Sequence, residues 1–552
     1  MKISSEQKRR LQGRFSALER DRLPWWQHWR ELANYYLPRR YRWLLSKTEV
    51  ARTATRSPYI TDSTGTKAAR TLAAGMMNGI TSPSRPWFKL RIPSQKEESL
   101  TVTRWTEEVE RRMLMIMSES NFYNSMAVAY LDLVVFGTAA VLIYENYEDV
   151  IRCFNPALGE FYLSQDYSQR VNVFARTFTL TVAQVVEEFG EENCSDRVKS
   201  QYKLGGAGLE TEVVIHHLIE PNLPGEGAMP EKFKFREVYW ETSFPQDLCL
   251  RKRGYLDIPG FFPRWELSGN EAYGTSPASD TLSDVLQLQQ ETKRKAQGLD
   301  KMVSPPVIAT TQLANRPMSL LPGGTTFVSD LDSAGAKPVY TVNLPIGELR
   351  QDIQDIQTRV RQGFFNELFA DIMNLQTVRS ATEISARQQE RLVLMGSILQ
   401  RFENEALDPA IKRIYSIMSR NDLLPEPPEE ISDAGIEIQF VSILAVAQRA
   451  AGVAPTERFL SLIGALAPNV PDVLAVPDFM NLLRGYARDT GVPATGIKTP
   501  EEVQGDLQQS KELVATREAA NTGKAMAQAG KLMAETDIGG GQSAVEAVLG
   551  GM

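Results

Sequence analysis

From Ile346 onward, apolar residues recur at 346, 349, 353, 356, 360, 364 and 368, in steps of 3, 4, 3, 4, 4 and 4. Such a stripe fits one face of a single long α-helix and no strand. The other faces carry Arg350, Asp352, Asp355, Arg359, Arg361 and Glu367, so the helix packs along one seam and presents charge elsewhere. A second helix precedes it. Ser276-Pro277 combines a capping serine with proline at the first position, and Asp280 and Asp284 lie near the positive end of the dipole. It runs to about Met302, with Lys293, Arg294, Lys295 and Lys301 near its negative end. At about 1.5 Å per residue it spans about 39 Å. Between the two lies a Pro- and Gly-rich stretch, 303–345, with the short β runs PVIATT, TTFVS and PVYTV. After them comes a polar break, DIMNLQTVRS at 371–380. A very long helix follows from about 381 to 420, striped by Ile384, Leu392, Met395, Ile398, Leu399, Phe402, Leu407, Ile411, Ile414 and Met418. Pro409 should kink or restart it.

Around this frame the texture divides in two. The first 135 residues read as helical: one helix early in the chain, a new one beginning at Leu23-Pro24, then helices over 62–80, 101–119 and 121–135. Trp25, Trp26, Trp29, Leu32, Tyr35 and Tyr36 recur at helical spacing and read as core. From 138 to 265, the runs AAVLIYEN, GEFYLS, RVNVFARTFTLT, EVVIHHLIE and KFREVYWE predict an antiparallel sheet, and 221–232 predicts an exposed connection. The apolar segment from Ser125 to Tyr144 has a membrane-span length, yet it contains Asp132 and breaks at Gly137-Thr138. It predicts helix, turn and buried strand in a soluble chain. A Pro- and Glu-rich linker at 421–435, a strand at IEIQFV, a helical region to about 490 and a Gln- and Ala-rich C-terminal helix with a mobile tail complete the chain.

Chemistry is sparse. The 552 residues hold three histidines and three cysteines, Cys153, Cys194 and Cys249, which cannot make a disulfide framework and point to a reducing compartment. His216 and His217 are neighbours on a predicted strand, so they point to opposite faces and cannot chelate one metal. No zinc-protease, paired-cysteine, nucleophile-elbow or phosphate-loop pattern occurs. Acids outnumber bases 68 to 61, which argues against a polycation that coats nucleic acid. The first 60 residues carry 14 Lys and Arg against 5 acids, a run that reads as a solvated face or a contact with an acidic partner. No catalytic residue, metal site or cofactor is expected, and the chain reads as no enzyme.

Three stretches resemble the portal proteins, or head-to-tail connectors, of short-tailed bacteriophages: Thr64 to Leu90 with its Pro86-Trp87-Phe88 ending, Phe262-Pro263-Arg264-Trp265 followed by Glu271 and Tyr273-Gly274-Thr275-Ser276-Pro277, and the polar loop followed by Thr382-Glu383-Ile384. Order and lengths agree over essentially the whole chain. The resemblance implies an α+β, mainly α subunit assembled as a dodecameric ring. Its parts would be a wing at 1–270 (β-rich from about 138), a first stem helix within 271–302, a β-rich clip at 303–345, a second stem helix at 346–370, a tunnel loop at 371–380, the wing's spanning helix and return at 381–449, a helical crown at 450–500, and a C-terminal helix and tail at 501–552.

It also implies partners: other copies of the chain, double-stranded DNA in the channel, a terminase packaging motor, a tail adaptor, and the major capsid and scaffolding proteins. The location it implies is the capsid portal vertex of a virion assembled in the bacterial cytoplasm. Asn374, Gln376, Thr377 and Arg379 would face DNA, Arg316 and Lys337 would meet the motor or adaptor, and Ile346, Leu349, Ile353, Ile356, Val360 and Phe364 would pack the stem. The net acidity suits sliding, since each Lys–phosphate contact adds salt-dependent grip. Two readings from other classes compete. A metal-dependent DNA-processing enzyme would need converging acids beside a basic cleft, and a protein-only helical scaffold would leave the polar loop without a role.

Overall fold

The computed structural model describes residues 2–45, 59–91, 100–225, 227–242, 245–304, 307–308, 337–338, 345–367, 395–428, 437–441 and 454–466, with isolated positions beyond 477. The chain divides into two compact units, 1–451 and 452–552.

The first unit opens with α1, Ser5–Tyr36, capped by the Ser4 hydroxyl, which accepts from the Gln7 amide at 3.2 Å. Pro24 lies inside this helix and does not start a new one, contrary to the sequence expectation. Its lost hydrogen bond costs about 3 kcal/mol, but both flanks are anchored. Leu11, Phe15 and Leu18 pack in a cluster with sheet residues Val173, Leu218 and Val238. Trp29, Leu32 and Tyr36 belong to the main core, and Arg22 between them donates to the carbonyls of Gly159 and Phe161 at 3.0 and 2.9 Å. Packing on both sides carries the helix through the proline.

A short turn, α2 at Pro38–Tyr41, follows, then α3 at Thr64–Ile80, α4 at Leu100–Glu119 and α5 at Phe122–Phe136. The apolar segment resolves as predicted into helix, left-handed glycine and strand: α5 ends at Gly137, φ 73°, and β2 spans Val141–Asn146. A Cβ at Gly137 would lie 2.2 Å from the Gly274 carbonyl oxygen, so the turn admits only glycine. Two further bonds hold the strips together: Trp265 N donates to the Gly137 carbonyl at 2.9 Å, and Gly274 N to Thr138 Oγ1 at 2.9 Å. Inside the buried helix, Asp132 is paired with Arg40 at 3.1 Å. No helix among the described residues is long and apolar enough to cross a membrane.

The β region forms two sheets. In one, β2 lies between β3 (Val150–Phe154) and β9 (Gly260–Phe261). The other is an antiparallel meander in chain order: β4 (Phe161–Gln165), β5 (Val171–Thr181), β6 (Glu212–Pro221), β7 (Phe235–Glu241) and β8 (Arg251–Tyr255). Helices α6 (Val182–Phe189) and α7 (Asp196–Leu204) are inserted between β5 and β6.

Next come α8 at Pro277–Asp280 and α9 at Leu282–Val303. The predicted single helix is interrupted at Thr281, whose hydroxyl donates to the Pro277 carbonyl at 2.8 Å and meets the Tyr36 hydroxyl at 2.9 Å. The two ends of the following insertion pair through β10 (Val307–Ile308) and β11 (Lys337–Pro338). Helix α10 spans Ile346–Gly363. The long helix is described from Met395; a π turn at Glu403–Leu407 precedes α11, Asp408–Arg420, with Pro409 in its first turn. The unit closes where β12 (Glu437–Phe440) pairs antiparallel with β1 (Phe88–Arg91), Leu90 opposite Ile438. In the second unit α12 spans Ala454–Leu466 and buries Ile463.

Candidate functional site

Among the described residues, the α9–α10 pair is a long helical hairpin that is buried at one end and exposed at the other. The helices run antiparallel, with Thr281 beside Gly363 and Asp284 paired to Arg359 at 3.2 Å. Their base is rooted in the main core. Ile353, Ile356, Val360 and Phe364 are buried there with Val285 and Leu288, and Phe364 packs against Tyr36 with ring centres 5.7 Å apart. Burial pushes the Tyr36 phenol up, so it stays neutral.

One side chain ties the root together. Gln289 Oε1 accepts from the amides of Thr61 and Asp62, both at 2.7 Å, and its Nε2 donates to the Asp62 carbonyl at 2.8 Å. The Asp62 carboxylate then accepts from Gln357 Nε2 at 2.8 Å and from the Thr64 amide at 2.7 Å, where α3 begins. Asp62 therefore joins α3, α9 and α10 at one point, and each of its buried polar partners is satisfied.

Beyond this root the pair leaves the core. From Gln290 to Ser304, and from Ile346 to Asp352, no side chain is buried. That is about 22 Å of α9 at about 1.5 Å per residue. Lys293, Arg294 and Lys301 are exposed on it, as are Met302, Val303 and Ile346. Among the described residues this half of the pair leaves polar and apolar side chains alike open to solvent.

The titratable groups elsewhere are structural. His217, fully buried, meets Glu237 Oε1 through Nε2 at 2.9 Å and accepts from Arg176 Nε at Nδ1, 3.1 Å. Burial pulls its pKa down to about 4, so the ring is neutral. Glu237 also accepts from Tyr239 and Tyr255 at 3.1 and 3.0 Å; burial raises its carboxyl, and the contacts with His217, Arg251 and Tyr255 together outweigh that and leave it lowered. His216 faces the other way, against Phe15 and Trp240, as adjacent strand positions require. His28 meets Ser279 Oγ at 2.8 Å. The three cysteines are buried, and burial pushes the Cys153 thiol up to about 12. Among the described residues no group of His, Cys, Asp and Glu could hold a metal ion.

Residues 8–497 match the family described as "Bacteriophage head to tail connecting protein". The chain is 36% identical over 540 residues to the "Portal protein" of Salmonella phage epsilon15, covering 97% of this chain and 96% of that one. It is also 36% identical over 517 residues to the "Probable portal protein" of Bordetella phage BPP-1, covering 92% of each. The chain belongs to the bacteriophage head-to-tail connecting proteins.

In this connecting protein the residues expected to pack the stem separate into two groups. Ile353, Ile356, Val360 and Phe364 lie in the root, whereas Ile346 is 38% exposed and Leu349 half-buried on the projecting half. Lys337 stands in β11 opposite Ile308. Arg316 and the loop residues Asn374, Gln376, Thr377 and Arg379 lie outside the described residues, as do Ile384 and Leu392. Sequence reading missed the Asp62–Gln289–Gln357 junction and the Thr281–Gly363 contact. The glycine near the end of a striped helix was the one available signal; the junction joins residues far apart in the chain and has none.

Proposed function

We propose that this connecting protein is the portal subunit of a short-tailed phage. About a dozen copies close into a ring at one capsid vertex, through which double-stranded DNA is packaged, retained and ejected. The observation that carries this reading is the chain-long similarity to proteins named as portals in two phages. The α9–α10 pair supports it, because a projecting pair on each subunit can line a channel by packing against its neighbours.

On this reading α9 and α10 are the stem, and 303–345 is the clip on which the terminase motor and later the tail adaptor dock, with Arg316 and Lys337 in contact. The segment 371–380 is the tunnel loop, where Arg379 makes transient phosphate contacts beside Asn374, Gln376 and Thr377. The sheets and N-terminal helices form the wing toward the capsid and scaffolding proteins, and 450–500 the crown. Energy for translocation comes from a separate motor polypeptide, since no phosphate loop occurs in this sequence.

Native mass spectrometry of the purified chain, with negative-stain images of the same sample, tests the proposal. Closed rings of about a dozen subunits with a central hole are expected. A chain that stays monomeric at every concentration, with scaffolding protein present as well as absent, overturns it.

A further inference from the structure

The five-stranded sheet carries helices of opposite charge on its two faces. Consecutive residues of β7 point to opposite sides. Val238 and Trp240 pack with Leu11, Phe15 and Leu18 of α1, and Tyr239 between them packs with Val182, Val185 and Phe189 of α6. In β6, Leu218 faces α1 and Ile215 faces α6. The first half of α1 and α6 therefore lie back to back across the same two strands. Residues 2–21 carry six Lys and Arg against three acids, whereas 182–212 carry seven acids against three bases.

These charges are not neutralised within the chain. Arg9 and Arg20 are exposed and eleven residues apart, about three turns, so they share the side of α1 opposite its buried stripe. Glu187, in α6, and Glu192, in the turn after it, are exposed as well. None of the four belongs to an ion pair among the described residues. The sheet, and on either side of it a helix about 10 Å thick, stand between the two sets, which exceeds the screening length of about 8 Å at physiological salt. Between Arg9 and Arg20 the same side of α1 carries Gly13 and Ser16, at steps of 4, 3 and 4. Nothing lies within 4 Å of the place a Gly13 Cβ would take. A glycine inside a helix weakens it relative to alanine, and no described contact of this chain calls for one there.

We propose that the Arg9–Gly13–Ser16–Arg20 side of α1 docks on the Glu187–Glu192 side of α6 in a second copy of the chain. A second copy is the fitting partner because the same molecule offers both signs on opposite faces of one layer. One rotation, repeated from copy to copy, joins every basic face to an acidic one, head to tail. A nucleic acid or an acidic protein would engage α1 alone and leave the α6 face unmatched. The small residues between the arginines let the acidic turn come close to the helix backbone. The contact rests on this charge layout; its closure into a ring rests on the portal reading.

Two charge-reversed full-length chains test it. One carries R9E and R20E, so the contact positions on both its faces are acidic; the other carries E187K and E192K, so both are basic. Sedimentation velocity at low salt is read for each alone and for an equimolar mixture. Each variant alone is expected to associate about tenfold or more weakly than the parent, and the mixture, which can alternate acidic and basic copies, to recover most of the loss. The difference from the parent should shrink at about 1 M salt, where the screening length is about 3 Å. Gly13→Gln, which adds bulk without charge, should raise the urea midpoint of unfolding yet weaken association; a glycine with no partner would give the first change without the second. Reversed chains that associate like the parent, or a mixture as weak as its components, overturn the contact. Negative-stain images of the same samples separate the two readings. Rings that ignore the reversals remove this contact and leave the portal reading, a charge-dependent assembly that never closes does the opposite, and a parent that never associates overturns both.

Discussion

Gly363→Ala probes the root of the helix pair directly. A Cβ at Gly363 would lie 2.2 Å from Thr281 Cγ2, more than 1 Å inside ordinary van der Waals contact. Thr281 cannot rotate away, because its hydroxyl is bonded to the Pro277 carbonyl at 2.8 Å and meets the Tyr36 hydroxyl at 2.9 Å. The helices must part or Tyr36 must yield. Overpacking of this kind costs about 1–3 kcal/mol, and the better helix propensity of alanine returns at most about 1 kcal/mol, so a net loss of about 1–2 kcal/mol is expected.

Thr281→Ser removes the obstructing methyl and keeps the hydroxyl. Alone it should cost about 1 kcal/mol; combined with Gly363→Ala it should recover most of the loss, giving a coupling of about 1 kcal/mol or more. Urea unfolding followed by tryptophan fluorescence is the assay, because all eight tryptophans lie in the first unit. A Gly363→Ala protein as stable as the parent, or a double variant no better than the single, would refute the steric argument.

Glu110 offers a pH test. Its Oε1 accepts from the Leu90 amide of β1 at 2.7 Å, and burial pushes its carboxyl up to about 7. A raised folded pKa stabilises fully below the ordinary value of 4.5 and loses that contribution as pH rises through 7. Glu110→Gln should therefore match the parent near pH 4.5 and exceed it by about 2 kcal/mol above pH 7, after allowance for partial exposure; a pH-independent difference argues against it. Arg379→Ala should alter DNA packaging or retention in assembled particles while rings form normally, and unchanged packaging and retention would remove the proposed phosphate contact. Arg316→Ala and Lys337→Ala should weaken capture of the motor or adaptor in a pull-down without affecting rings; full capture by both variants would move docking elsewhere on the chain.

Periodicity made much of the fold legible. The stripe at 346–364 reads as a helix because apolar residues recur every turn, and the runs that became β4 to β7 alternate or stay apolar as sheet strands do. His216 and His217 could be assigned to opposite faces without coordinates. The long helix was legible over its described part, from Met395 to Arg420, but its π turn at Glu403–Leu407 was not. Pro24 was misread because the local cost of proline was visible and the packing that offsets it was not. The partition of the stem stripe into a buried root and an exposed half was equally hidden, since both halves obey the same repeat.

The sequence by itself determined where helices and strands form, that the apolar segment at 125–144 folds as helix and strand, and which family the chain resembles. These follow from neighbours within a turn or two, where side-chain spacing and backbone sterics act. Only the tertiary structure decided that Asp62 joins three helices, that Thr281 breaks one helix against Gly363 of another, that β1 finds β12, and that Arg264 holds a turn 141 residues away. Each of these pairs groups distant in the chain, and its energy depends on burial and exact approach distances that no local pattern encodes.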